Sequence, residues 1–137
     1  MTIREIEHTA DLGIEIEAGD LPVLFSTAAE GLYGLMADLN DIIPKEKIAV
    51  SAVGQGWEDL FHAWLCELLS QFNLNGFVGK QCEVAVLQPG RVEGWVRGER
   101  LDLERHSFYT EIKGVTYHGF KVWQEDGMWH AKVIFDV

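Results

Sequence analysis

Trp57, Leu60, Phe61, Trp64, Leu65, Leu68, Leu69 and Phe72 recur at helical spacing, and no other stretch limits the fold of this chain so strongly. They predict a helix over about 57–72 with one continuous apolar stripe. Two tryptophans and two phenylalanines on one stripe demand a facing layer. Gly54-Gln55-Gly56 breaks the chain ahead of this helix, and Asn75-Gly76 closes it with a turn.

A second helix is expected from just after Asp20 to about Asp38. Leu21, Leu24, Phe25, Ala28, Ala29, Leu32, Leu35 and Met36 form its apolar face, and Ser26, Thr27, Glu30 and Ala37 cover the back. Asp20 is suited to the N-cap, with Pro22 in the first turn. The remainder alternates with period two. Leu12, Ile14, Ile16 and Ala18 alternate with Gly13, Glu15 and Glu17 within residues 3–18, which read as one or two strands. Further strands are expected at 47–53, 77–87, 91–98, 108–117, 119–124 and 129–136. Pro89-Gly90 and Asp126-Gly127 mark turns, the latter a strong hairpin signal. The fold class is therefore α+β, a single domain over 1–137, with a mostly antiparallel sheet and two amphipathic helices on one face.

Composition narrows the function. Hydrophobic residues make up 47% of the chain, enough for a real core, and the formal net charge is −11. Such a chain gains nothing from neutralising phosphates as a whole, so strong direct nucleic-acid binding is not expected. It attracts cations or a basic partner protein instead. No charged-then-apolar leader opens the sequence, and no apolar run approaches the ~20 residues needed to span a bilayer. A cytoplasmic location without membrane contact is the expectation.

Two acidic points stand far apart in the sequence. Asp11 follows Glu7-His8-Thr9-Ala10, and Asp136 precedes Val137, which carries the α-carboxylate. If the opening and closing strands are antiparallel neighbours, Asp11 meets Asp136 and Val137. Oxygen anions so gathered suit a hard divalent cation. Spacing alone leaves a second reading open, with Asp11 capping a turn and Asp136 a solvated strand end. His62 and Cys66 lie four apart but lack further ligands for zinc. No nucleophile elbow or phosphate loop is present, and Cys66 and Cys82 carry no sign of activation. His8 and His118 each neighbour hydroxyl-bearing residues, and Lys113 stands in a strand short of positive charge.

Glu7-His8-Thr9-Ala10-Asp11-Leu12-Gly13-Ile14 resembles the opening signature of the archease family. The resemblance continues in order through nearly the whole chain. It takes in Leu24-Phe25, Ala28-Ala29-Glu30-Gly31-Leu32, Trp64-Leu65-Cys66-Glu67-Leu68-Leu69 and Gly98-Glu99-Arg100-Leu101-Asp102. Arg105-His106, Ile112-Lys113-Gly114-Val115-Thr116-Tyr117-His118 and Ala131-Lys132-Val133-Ile134-Phe135-Asp136-Val137 complete it, with Gly114 where many members have Ala.

The resemblance implies an SHS2-like two-layer α/β sandwich and an accessory protein rather than a catalyst. Its expected partner is an RtcB-type RNA ligase of tRNA splicing or RNA repair, whose guanylylation and multiple turnover it promotes. The metal ligands carried over are Asp11, Asp136 and Val137, the last through a main-chain carboxylate or carbonyl oxygen. The implied cation is Ca²⁺, with Mg²⁺ or Mn²⁺ as alternatives. His8, Lys113 and His118 are the implied ligase-facing residues. The competing class is a small divalent-metal-dependent phosphoester hydrolase using the same carboxylates. Oligomeric state is not legible in the sequence.

Overall fold

The computed structural model describes residues 2–8 and 11–137, with backbone alone for residues 6–8. In chain order the elements are β1 (Thr2–His8), β2 (Asp11–Ala18), α1 (Leu21–Met36), β3 (Glu46–Val53) and α2 (Gly56–Asn75). They continue as β4 (Phe77–Gln88), β5 (Arg91–Arg100), β6 (Gly114–Val115), β7 (Lys121–Glu125) and β8 (Met128–Asp136). The class is α+β and every strand pairing is antiparallel, as the sequence pattern predicts.

The strands divide between two sheets. The first runs β1-β2-β8-β6, with β7 also paired to β8. The second is β3-β5-β4. The division explains why α1 is buried around most of its circumference. It packs on β2 of the first sheet, on β4 of the second, and on α2. Thr27 and Ala37, expected on its solvent side, are each only 1% exposed. A helix between two sheets needs more than one apolar stripe.

Helix α2 follows its stripe closely. Leu60, Phe61, Trp64, Leu65, Leu68 and Leu69 are buried, while Trp57 and Phe72 close the ends half-buried. Burying side chains of this size stabilises by about 1.5–3 kcal/mol each. Polar atoms at the α1–α2 contact are satisfied: Trp64 Nε1 donates to the Phe25 carbonyl at 3.0 Å, and Tyr33 Oη of α1 to that of Leu68 at 2.6 Å. Phe25 and Phe61 meet edge to face at 5.0 Å.

Local signals set the ends. The Asp20 carboxylate accepts from Val23 N–H at 2.9 Å and caps α1. Gly76, at φ +68°, closes α2 in the left-handed conformation. Asp126 and Gly127 both have positive φ, +53° and +76°, as a two-residue hairpin between β7 and β8 requires. The stretch 108–117 forms only the two-residue strand β6. Its start serves instead to tie the layers, with Phe108 bridged to Ala37 and stacked on Phe72, and Ile112 fully buried.

Close approach of β4 and β5 depends on Gly98. A Cβ there would stand 2.0 Å from the Val78 carbonyl oxygen, an atom fixed in the strand ladder. Gly98→Ala is expected to cost about 3 kcal/mol. Urea titration should show a lower midpoint with unchanged slope.

Candidate functional site: a carboxylate rung at the sheet end

Strand β8 lies between β2 and β6, so residues remote in sequence share one rung. His8 pairs with Asp11, Asp11 with Asp136, and Asp136 with Gly114. Residues paired in this way project to the same sheet face. The antiparallel pairing of opening and closing strands is thus present, and it sets two aspartates directly opposite each other. Asp11 and Val137 are half-buried and Asp136 is exposed.

Residues 113–118 border the rung. Lys113 N–H donates to the Asp136 carbonyl at 2.7 Å. Thr116 donates to the Ile134 carbonyl through its N–H at 3.1 Å and its Oγ1 at 3.0 Å. His118 N–H in turn donates to Thr116 Oγ1 at 3.2 Å. From the other side α2 grips the same segment, because His62 Nε2 lies 3.0 Å from the Val115 carbonyl and its ring stacks on Tyr117 at 3.8 Å. Lys113 and His118 are exposed at this edge. The fold therefore brings Asp11, Asp136 and Val137 to one end of the first sheet, with Lys113 bonded to Asp136, while His118 lies further along the same edge, beyond the Thr116–Ile134 contact. His8 is in register with them by its backbone, and its side chain lies outside the described residues.

Among the described residues no group of three or more His, Cys, Asp or Glu side chains stands close enough to hold a metal. The rung supplies two carboxylates, and Val137 can add only main-chain oxygen. A donor set of oxygen alone fits a hard cation and not zinc. Two like charges directly across a sheet also repel, so a cation between them would relieve a cost built into the register. The implied divalent ion therefore fits, with part of its shell left to solvent or a partner.

Two hollows, of about 450 and 460 Å³, lie elsewhere. One crosses the outer face of the first sheet near Glu17, Trp123 and His130. The other sits by Lys47, Gln71 and Arg100. The rung is an open tip rather than an enclosed cleft.

The thiols are unreactive in kind. Burial, then the charge of Glu67, pushes the Cys66 thiol up. Its sulfur faces His62 Nδ1 at 3.6 Å, and the other ring nitrogen is already directed at Val115. Burial, followed by Glu30 and Glu83, raises Cys82 to about 12. Neither is a nucleophile at neutral pH.

Sequence reasoning missed one buried ionic cluster. Glu99 is 1% exposed and accepts from Ile43 N–H at 2.5 Å and from the Arg105 guanidinium. Lys45 Nζ stands 3.7 Å away. His106 Nδ1 accepts from Asp102 N–H at 2.8 Å, which places the ring proton on Nε2, 3.2 Å from Glu99. Nε2 has no well-directed hydrogen bond among the described residues, so it relies on that carboxylate. Burial pushes Glu99 up, but the hydrogen bonds from Ile43 and Arg105, with His106 close by, outweigh it and hold it at about 2. The alternation that makes Trp95 and Arg97 exposed puts Glu99 on the same side, so strand parity hides its burial. The Gly98–Asp102 and Arg105-His106 motifs were the available signal.

Fold and site together define a small acidic α+β domain with a carboxylate rung at an open sheet end. The archease protein family matches residues 4–137. The chain is 38% identical to an archease of Methanopyrus kandleri, with both chains covered in full. It is 32% identical to that of Pyrococcus abyssi, over 96% of this chain and 95% of the relative. The solution structure of Methanobacterium thermoautotrophicum protein 1598 superposes with a TM-score of 0.82 at 27% identity, covering 98% of each chain. A Thermotoga maritima crystal structure, described as an archease and possible chaperone, has the same fold, with a TM-score of 0.68 at 22% identity over 100% of this chain and 98% of that one. The chain belongs to the archease family. Among the described residues no helix is long and apolar enough to cross a membrane.

Proposed function

We propose that this protein is a non-catalytic activator of an RtcB-type RNA ligase, acting in tRNA splicing or RNA repair, and that its working end is the Asp11–Asp136 rung. The pairing of two aspartates across β2 and β8, bordered by Lys113, is the observation that carries this reading. In it Asp11, Asp136 and a main-chain oxygen of Val137 would hold a divalent cation, Ca²⁺ first, with Mg²⁺ or Mn²⁺ as alternatives. Such a cation, when bound, neutralises phosphate charge and orients oxygen ligands. The rest is done by the chain. The sheet fixes the separation of the carboxylates, and Lys113 and His118 present donors to the ligase at the same edge, with His8 in register beside them. The net charge of −11 suits docking against a cationic RNA-binding surface. An open tip suits delivery into another protein's site better than enclosure of a small substrate.

The test is guanylylation of a purified ligase by GTP with and without this protein. Stimulation of both the rate and the number of turnovers is expected. No stimulation, together with phosphoester hydrolysis by this protein alone, would replace the reading with that of a metal-dependent hydrolase. Inserting a short tag directly after Val137 should weaken cation binding at least tenfold. A tagged protein that binds and activates normally removes Val137 from the ligand set.

A further inference from the structure

The charge of this protein is unevenly placed. Residues 45–53 and 77–105, which contain the second sheet, hold seven of the eleven Lys and Arg residues and six of the 22 Asp and Glu residues. That part is slightly positive, and the remainder carries the whole acidic excess.

The outward face of the second sheet presents a planar aromatic among these cations. Trp95 is 41% exposed in the middle of β5. On the adjacent rung Lys47 and Arg97 pair across β3 and β5, and Lys47 Nζ lies 4.3 Å from the centre of the Trp95 ring. Both cations are exposed. On the other side of Trp95 is a shallow hollow of about 350 Å³, whose walls include Ala49, Ser51, Ala85 and Val86, with Glu93 at its border. These side chains are small enough to leave a flat shelf beside the indole. Neighbouring acids are largely accounted for: Glu93 is paired with Arg91, and Glu99 is buried with Arg105. Glu83 faces Trp95 from β4, which leaves the Lys47–Arg97 side as the path for anions.

We propose that this face is a stacking platform for one or two nucleotides of single-stranded nucleic acid, with a base on Trp95 and the shelf, and the adjoining phosphates on Lys47 and Arg97. An acidic peptide would satisfy the two cations but has no use for an exposed indole next to a flat apolar shelf. Base stacking uses both. The platform is on the second sheet and the carboxylate rung on the first, and no residue is shared between them. The expectation from net charge, that the chain does not grip nucleic acid strongly, holds for long polyanions; a contact with two cations is weak and local.

Fluorescence anisotropy of a labelled RNA octamer at moderate ionic strength tests this. Saturable binding is expected, with a logarithmic salt slope of about −1.4 for two phosphates on a single strand. Trp95→Ala should weaken it about tenfold or more, and Arg97→Glu comparably. Asp11→Asn should leave it unchanged, which separates this inference from ligase activation. Arg97→Glu changes only an exposed side chain, so it decides the matter even if Trp95→Ala lowers stability. Absence of saturable binding, or binding indifferent to both substitutions, would overturn the proposal. So would a poly-glutamate peptide that binds as tightly as the RNA and displaces it.

Discussion

Asp11→Asn should abolish ligase activation and at the same time leave the protein as stable as before, or slightly more so, in the presence of a chelator. The two effects have one origin. Asp11 and Asp136 occupy a directly opposed cross-strand pair. Without a cation, two like charges in that position destabilise the pairing by a few tenths of a kcal/mol, up to about 1. Neutralising one removes the repulsion and keeps the side-chain shape. In saturating Ca²⁺ the order reverses, because an ion that binds only the folded state stabilises it by about 2.7 kcal/mol at a hundredfold excess over Kd. The unmodified protein should therefore gain several degrees in Tm on adding Ca²⁺, and Asp11→Asn and Asp136→Asn should gain none. If Asp11→Asn melts well below the parent protein in chelator, the rung is a structural contact and not a strained ion site.

The largest stability effect is expected at Glu99. Glu99→Ala leaves the Ile43 N–H without an acceptor, removes the carboxylate that faces buried His106 Nε2, and deprives Arg105 of its partner. Breaking such a group costs about 3–5 kcal/mol, or roughly 10 °C in Tm for a chain of this length. The pH dependence has a definite sign. Glu99 titrates at about 2 in the folded protein, below its ordinary value of 4.5. The unfolded chain therefore binds more protons in that interval, and stability rises with pH there. The contribution is complete above about 4.5 and is lost as pH falls from there through 2. Denaturant titrations at pH 7 and pH 3 should show a smaller acid loss for Glu99→Gln than for the parent protein. An identical loss in both would place the acid-sensitive group elsewhere.

The stripe from Trp57 to Phe72, the Asp20 cap and the Asp126-Gly127 hairpin were legible because each is a local signal with one dominant physical cause. The rung was half legible. Parity put Asp11 and Asp136 on the polar sides of their strands, but a period of two gives faces, not neighbours. Only the register of β2 against β8 makes them opposite. Parity also could not divide the strands between two sheets, since an antiparallel strand reads alike in either. The near-complete burial of α1 was the missed clue, with Thr27 and Gly31 among its buried residues. Glu99 was hidden because its burial comes from a loop, through Arg105 and His106, and not from the strand that carries it.

The position of β8 also bears on synthesis. It is the last strand in chain order, yet it lies between β2 on one side and β6 and β7 on the other. Both helices and all of the second sheet precede it and have partners already made. The first sheet lacks its central member until β8 emerges, so the β1–β2 pair must wait with the outer edge of β2 unpaired while more than a hundred residues are added. Such late, long-range closure is slow. It also means that a nascent chain that has not yet reached β8 lacks one side of the rung and cannot present it.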